Sequence, residues 1–246
     1  MKLVFLGTSH GAPTTERACS CTLLEVGGAI YYIDGGVPIA ERTMLCGREI
    51  SAARAMFVTH THSDHIGGVY QFASLLNWYY KSLEFSFYMP ESNAAEAICN
   101  LINITDSKTI DLSRIRFLTA SAGTVYEDEN IKVSYHKTMH LTAGERVSYG
   151  MVIEAEGKRI CFSGDLSQWL VGKDFPEAAY DDIDLLICEM AHFGREHLDP
   201  YLPKIKAKKV AFTHVYPLSK YDDIADIAEE YSFDVLTPSD MEEIEI

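Results

Sequence analysis

The sequence contains few basic residues relative to its acidic ones. Its 246 residues include 21 Lys and Arg against 36 Asp and Glu, which gives a formal net charge of −15 at pH 7. Proteins that bind nucleic-acid backbones neutralise phosphates with Lys and Arg, so this composition disfavours a nucleic-acid partner. The one dense basic cluster is predicted to be the solvated end of a helix, with steering of an anionic substrate as the alternative. Its members are Lys204, Lys206, Lys208 and Lys209.

Long apolar runs are also missing. No segment approaches the ~20 apolar residues that span a bilayer, and the N-terminal run from Leu3 to Leu6 is too short for a signal-peptide core. We therefore expect no membrane partner and a cytoplasmic location. The six cysteines contain no Cys-x-x-Cys pair, which favours reduced thiols over a disulfide framework or a separate structural zinc.

Linkers, repeats and low-complexity stretches are not evident either. The chain is 47% apolar, and strand-like and helix-like patterns run from end to end, so residues 1–246 are predicted to form one α/β domain. Periodicity predicts strands near 2–7, 21–26, 29–34, 56–59, 84–88, 131–138, 147–154, 159–163, 185–188, 210–213 and 242–246. It predicts helices at 37–46, 67–80, 91–104, 200–208 and 221–231.

Potential metal ligands crowd the segment that follows the apolar run 56–59. His60, His62, Asp64 and His65 lie within six residues of one another. Neutral imidazoles bind borderline-soft ions such as zinc, and a carboxylate between them can serve a second ion in the same pocket. The motif therefore predicts a metal cluster in preference to a single ion.

Three further candidate ligands, His140, Asp165 and His214, each come directly after a predicted strand. Strand ends that meet at one edge of a sheet lie close together. We therefore expect these residues to gather beside the first motif.

With these residues the chain resembles the metallo-β-lactamase superfamily over nearly its whole length. The resemblance implies a four-layer αββα sandwich of two mixed β-sheets. It assigns His60, His62 and His140 to one metal ion, Asp64, His65 and His214 to a second, and Asp165 to both. Two divalent ions are implied, zinc by default, with Mn²⁺ and Fe²⁺ as alternatives. Such a pair lowers the pKa of a bridging water toward ~7, so hydrolysis is the implied reaction class.

Both ends of the chain resemble ribonuclease Z, the tRNA 3′-processing endonuclease. The N-terminal stretch 3–13 and the C-terminal stretch 240–246 carry this likeness. Residues 185–191 are similar to the family's His-Glu-Ala-Thr segment, and His197 stands where the family has a catalytic His. The resemblance implies that Glu189 orients His197, which donates a proton to the leaving alkoxide.

Asp64, Glu189 and His197 are accordingly the predicted catalytic residues. Three other residues are candidates for supporting roles. Asp34 resembles the acidic turn that supports the ligand loop in the superfamily. His192 is placed either at the cleft or in a supporting role, and His10 is a candidate for substrate contact.

The chain departs from ribonuclease Z between the distant His and the bridging Asp, where those enzymes carry a long arm that grips tRNA. Here 24 residues separate His140 from Asp165, and they are predicted to form two strands joined by a turn at Glu156-Gly157. In this respect the chain is similar to cyclic-phosphate phosphodiesterases of the superfamily. The leading prediction is a dinuclear-metal phosphodiesterase that hydrolyses a small cyclic phosphodiester or nucleotide through a metal-bridging hydroxide.

Three alternatives stay open. A tRNA 3′-processing endonuclease is disfavoured by the net charge and the missing arm. A thioester or ester hydrolase of the glyoxalase II type shares the ligand motif, but only 32 residues follow His214, too few for the helical domain of that family. A non-catalytic metal-binding protein would keep the cluster without the acid. The expected partner is a small-molecule phosphodiester, and a homodimer is considered because relatives commonly dimerise.

Overall fold

The strands of the protein form two mixed sheets. The computed structural model describes residues 1–141 and 146–246. In chain order the strands are β1 (Lys2–Gly7), β2 (Cys21–Val26), β3 (Ala29–Ile33), β4 (Ala53–Phe57), β5 (Phe85–Met89), β6 (Ile115–Thr119), β7 (Gly123–Glu127), β8 (Lys132–Thr138), β9 (Ser148–Ala155), β10 (Lys158–Phe162), β11 (Ile183–Met190), β12 (Ala207–Val215), β13 (Asp234–Leu236) and β14 (Glu243–Glu245).

Each sheet has an antiparallel half and a parallel half. The first sheet has the order β14-β1-β2-β3-β4-β5-β6, and the second has the order β13-β12-β11-β10-β9-β8-β7. Strands β3 to β6 run parallel to one another, and so do β10 to β13. The carboxyl ends of parallel strands lie at one edge of a sheet, and the loops that carry the ligand motif leave the sheets there.

Helices cover the outer faces of the two sheets. They are α1 (Ile39–Leu45), α2 (Ser63–Ile66), α3 (Val69–Tyr79), α4 (Ser92–Thr105), α5 (Arg195–Leu198) and α6 (Lys220–Glu230), with short 3₁₀ segments at Ile50–Ala52, Glu177–Tyr180 and Leu202–Lys204. The segment Gln168–Lys173 forms turns, and its residues 169–172 have non-helical dihedral angles. One apolar core lies between the sheets, a second under α3 and α4, and a third under α6. The predicted four-layer αββα arrangement of two mixed sheets is confirmed.

Three strands were not predicted from the sequence. Strands β6 and β7 are largely exposed, so neither shows the alternation of apolar and polar residues that marks a half-buried strand. Strand β13 has only three residues and pairs at the edge of its sheet. The predicted turn at Glu156-Gly157 is confirmed, and both residues have positive φ, as a tight two-residue hairpin requires.

The predicted helix 200–208 is wrong. Only Leu202–Lys204 forms a 3₁₀ turn, and β12 begins at Ala207. The lysine cluster therefore does not complement a helix dipole. Lys208 extends from β12, and its Nζ donates to Oδ1 of Asp184 at 2.8 Å.

The six cysteines lie in the described part of the chain, and all of them are free thiols, as predicted. Within residues 1–141 and 146–246, no helix combines the length and the apolar character needed to cross a bilayer.

Candidate dinuclear metal site

Four side chains form a first candidate metal site, namely His60, His62, His140 and Asp165. Nδ1 of His62 lies 3.0 Å from Nε2 of His60 and 3.2 Å from Nε2 of His140. Oδ2 of Asp165 lies 3.6 Å from Nε2 of His60 and 3.7 Å from Nε2 of His140. The loops after β4, β8 and β10 supply these residues, so both sheets contribute to the site.

A second group contains Asp64, His65 and His214. Nε2 of His65 is 3.4 Å from Oδ2 of Asp64 and 3.4 Å from Nε2 of His214, while Nε2 of His214 is 3.2 Å from Oδ2 of Asp64. Asp165 also approaches this group, because its Oδ1 lies 3.6 Å from Nε2 of His65. One carboxylate therefore faces both groups, which is the arrangement of a bridging ligand.

The spacing of the donor atoms fits divalent ions. Bonds of about 2.0–2.2 Å in a tetrahedral arrangement place the ligand atoms of zinc roughly 3.3–3.6 Å apart. The neighbouring donor atoms named above are 3.0 to 3.7 Å apart, and all donors of a group lie within 4.8 Å of one another. All of the donors are nitrogen or oxygen, a set that zinc, manganese and iron accept.

Hydrogen bonds behind the ligands orient three of the imidazoles. Nδ1 of His65 donates to Oδ2 of Asp34 at 2.8 Å, Nδ1 of His60 donates to Oγ1 of Thr59 at 3.1 Å, and Nδ1 of His140 donates to the carbonyl of Leu166 at 3.2 Å. Each bond directs the lone pair of Nε2 into the site, as histidine ligands require. The supporting role predicted for Asp34 agrees with this contact.

The backbone also approaches the second group closely. Gly36 lies against α2, and a Cβ at this position would be 1.8 Å from the carbonyl oxygen of Asp64. A side chain here would displace the turn that carries Asp64 and His65, so only glycine fits.

The electrostatics of the first group favour neutral histidines. Burial lowers the pKa of His60 well below its ordinary value, and burial also lowers the pKa of His62 and of His140. A neutral imidazole has a free lone pair at neutral pH. These three side chains therefore present lone pairs to a cation, whereas protonated imidazoles would repel it.

Carboxylates dominate the second group. Burial acts to lower the pKa of His65, but the charges of Asp165 and Asp34 outweigh it and raise that pKa well above the ordinary value. Burial acts to raise the pKa of Asp165, but the charges of His214 and His65 lower it well below the ordinary value. Buried anionic charge of this kind attracts a cation, and a divalent ion can take the place of the imidazolium proton.

Glu189 pairs with His192 in the structure, and the Glu189–His197 pair predicted from the sequence is not formed. Oε1 of Glu189 accepts a hydrogen bond from Nδ1 of His192 at 2.8 Å. Its two oxygens also accept the backbone N–H groups of Leu166, Ala191 and His192. The chain turns directly after β11. This turn brings the imidazole of His192 back to the carboxylate of Glu189, three residues earlier in the sequence.

His192 lies over the metal groups. Its ring centroid is 4.5 Å from that of His140 and 5.7 Å from that of His214, and Nδ1 is 3.9 Å from Oδ2 of Asp165. Burial acts to lower the pKa of His192, but the hydrogen bond and charge of Glu189 raise it to about 9. The carboxylate of Glu189 therefore favours the protonated form of this imidazole.

His197 lies on α5, with Nδ1 3.1 Å from Oε1 of Glu196. It lines a cavity of about 630 Å³ together with His140 and His192. The structure therefore places it near the site but outside the carboxylate pair. Lys220 supports the same cavity wall, because its Nζ donates to the carbonyls of Met190, Ala191 and Phe193.

A stacked pair of rings stands beside the second metal group. The His10 and Tyr216 centroids are 4.0 Å apart with an angle of 22° between the rings, and the His10 centroid is 6.1 Å from that of His214. The cleft position considered for His10 agrees with this geometry. The sequence reasoning missed Tyr216 and Lys220. An aromatic residue two positions after a predicted ligand was a usable signal for Tyr216, whereas no sequence signal marks Lys220.

Comparison with known proteins adds a family to this geometry. The sequence profile described as "Anti-Pycsar protein Apyc1" matches residues 1–228. The chain belongs to the Apyc1 family. This Apyc1-family chain resembles the ribonuclease Z of Methanocaldococcus jannaschii, with 26% identity over 141 residues that cover 57% of this chain and 44% of that protein. The match therefore spans less than half the length of that relative.

A second relative and a solved structure extend the likeness of the Apyc1-family chain to its full length. The ribonuclease Z of Pyrococcus furiosus is 22% identical over 298 aligned positions, which cover 99% of this chain and 95% of that protein. The crystal structure of human tRNase Z, short form, has a TM-score of 0.75 at 17% identity and covers 100% of this chain and 99% of that chain. The chain has the metallo-β-lactamase fold and resembles the ribonuclease Z proteins, as predicted.

Proposed function

We propose that the protein is a dinuclear-metal phosphodiesterase that hydrolyses small, cyclic phosphodiesters or nucleotides. The observation that carries this proposal is the position of Asp165, whose two oxygens face two separate groups of nitrogen and oxygen donors. Two divalent ions held by these residues would activate a water at neutral pH and stabilise charge on phosphoryl oxygens.

The proton donor is assigned to His192. Glu189 holds Nδ1, so Nε2 is the nitrogen left for a substrate. An alkoxide is a poor leaving group, and a positioned imidazolium that protonates it contributes about 10²–10⁴-fold to the rate. His192 takes over the acid role that the resemblance assigned to His197, and Glu189 keeps its predicted role as the positioning carboxylate.

Both the charge and the gaps in the alignment with a relative favour a small substrate over tRNA. The formal net charge of −15 opposes binding of a polyanion. The alignment with the Pyrococcus furiosus relative is 298 positions long, whereas this chain has 246 residues. The alignment therefore contains gaps in this chain, opposite segments that only the relative has. Between His140 and Asp165, the described residues 146–164 form β9, the Glu156-Gly157 turn and β10.

The test is hydrolysis of bis(p-nitrophenyl) phosphate by protein reconstituted with zinc or manganese, beside Asp165→Ala as the matched control. We expect metal-dependent turnover that the control loses, together with a metal content near two ions per chain that falls in the control. Cyclic nucleotides are then the substrates to screen. If the protein binds metal and turns over a thioester but no phosphodiester, the phosphodiesterase proposal fails.

A further inference from the structure

The organic part of a substrate needs a place beside the metal groups. The cavity of about 630 Å³ described above shares His140 and His192 with the metal site. A phosphate held by the metal groups would therefore direct its attached group into this cavity. Trp169 lines the cavity and is 58% exposed.

The backbone holds Trp169 at the cavity in an unusual conformation. Trp169 has φ 61° and Leu170 has φ 52°, so two consecutive residues with side chains occupy the left-handed region. Such conformations persist only where the surroundings impose them, and they cluster at ligand sites. The surroundings are visible here, because Leu170 is buried in the core and the N–H of Trp169 donates to the carbonyl of His192 at 3.0 Å. The segment thus ties the indole to the residue assigned as the proton donor.

The polar groups of the cavity do not suit a second phosphate. The ammonium of Lys220 is occupied by three backbone carbonyls. Among the described residues that line this cavity, the other charged side chain apart from the histidines is the carboxylate of Glu196. An exposed indole beside an acidic group and the amide of Gln168 suits a planar, uncharged ring that carries hydrogen-bonding edges.

We infer that Trp169 is the stacking residue of a subsite that accepts a planar aromatic group, such as a nucleobase, attached to the phosphate held at the metal groups. The inference rests on the proposed function, because that function places the phosphate. Trp169 then decides between phosphodiesters with an aromatic group and those with a sugar alone, a choice that the metal ligands cannot make.

The chain offers a direct readout, because it contains two tryptophans. Trp78 lies on α3 and donates Nε1–H to Asp106 at 2.9 Å, and Trp78→Phe leaves Trp169 as the single indole. We would titrate this variant, reconstituted with zinc, with adenosine 5′-monophosphate and with ribose 5-phosphate, and would follow fluorescence and calorimetric Kd. We expect quenching by the nucleotide and none by the sugar phosphate.

Trp169→Ala is expected to raise the Kd for adenosine 5′-monophosphate about 10-fold, the effect typical of one stacked base. The ratio of the two Kd values should fall accordingly, and Trp169→Phe should retain most of it. Equal Kd ratios in the wild-type protein and Trp169→Ala, or no quenching at saturation, would overturn the inference. Turnover of bis(p-nitrophenyl) phosphate separates the two proposals. Selective nucleotide binding without turnover means that the hydrolase proposal fails and the subsite stands.

Discussion

Oδ2 of Asp34 lies 2.8 Å from Nδ1 of His65, behind the second metal group. The same carboxylate accepts the backbone N–H of Thr59 at 2.7 Å through Oδ1. One buried side chain therefore fixes both the orientation of a ligand and the strand exit from which the ligand motif begins. Histidine ligands depend on such partners for their tautomer and their basicity.

Asp34→Asn tests this relationship. Asn tolerates the positive φ of 58° at this position, so the turn should persist while the anionic acceptor is lost. We expect metal affinity to fall about 10–100-fold at one of two sites, measured by competition with a zinc chelator. Asp111→Asn is the matched control, because the side chain of Asp111 is 41% exposed and pairs with Arg114 outside the metal groups. Unchanged affinity at both sites in Asp34→Asn would contradict the assignment.

The Glu189–His192 pair predicts a dependence on the leaving group. His192→Ala and Glu189→Gln should slow hydrolysis of esters with alkoxide leaving groups by about 10²-fold or more. The same variants should affect p-nitrophenyl esters much less, because nitrophenolate departs without a proton. The measurement is kcat/KM for both kinds of ester in each variant.

His197→Ala is the control for that experiment, since His197 lines the same cavity outside the carboxylate pair. Its losses should be similar for the two kinds of ester. If His197→Ala shows the selective loss and His192→Ala does not, the proton donor is His197, as the sequence predicts, and the assignment to His192 is wrong.

The ligand set could be predicted from the sequence because each member follows an apolar strand, and strand ends at one edge converge whatever the loops do. The partner of Glu189 could not be predicted in the same way. His192 and His197 both follow within eight residues, and the choice depends on the local turn after β11. The periodicity of the sequence does not predict the conformation of that turn.

The misplaced helix and the Trp169 segment show two further limits. The lysines at 204–209 suggested a helix end, but the continuous buried run Val210–Phe212 makes this segment a central strand, β12, from Ala207 onward. Trp169 and Leu170 both have positive φ although neither is glycine, the residue that usually marks a left-handed conformation in a sequence. Their backbone is imposed by the burial of Leu170, which is a property of the folded core and not of the local sequence.

Asp240 is expected to be important for stability. Its side chain is 8% exposed, and its carboxylate accepts the N–H and Oγ1–H of Thr8, the N–H of Ala18 and Nη1–H of Arg42. Asp240→Ala should lower the free energy of unfolding by about 2–4 kcal/mol, because buried donors lose their acceptor. Urea denaturation measures the change. Asp226→Ala, at a residue whose side chain is 67% exposed, should cost less than about 0.5 kcal/mol. Similar costs for the two variants would contradict this role.

His136 predicts an acid sensitivity that is independent of the metal ligands. Its ring extends from β8 opposite Gly150, and Nε2 is buried with no hydrogen-bond partner among residues 1–141 and 146–246. Burial lowers the pKa of His136 to about 4, whereas an unfolded chain has a histidine pKa of about 6.5. Between these values the unfolded state binds more protons. The stabilising contribution is therefore complete above about pH 6.5 and is lost as the pH falls toward 4.

His136→Gln removes this titration while keeping a polar side chain of similar size. We expect the difference in unfolding free energy between the wild-type protein and the variant to change by about 2 kcal/mol between pH 7 and pH 4.5. Urea denaturation at several pH values measures it under identical metal loading, so the other histidines titrate in both proteins and cancel. Parallel pH profiles for the two proteins would show that the ring of His136 is solvated in the folded state and that its unpaired nitrogen carries no cost.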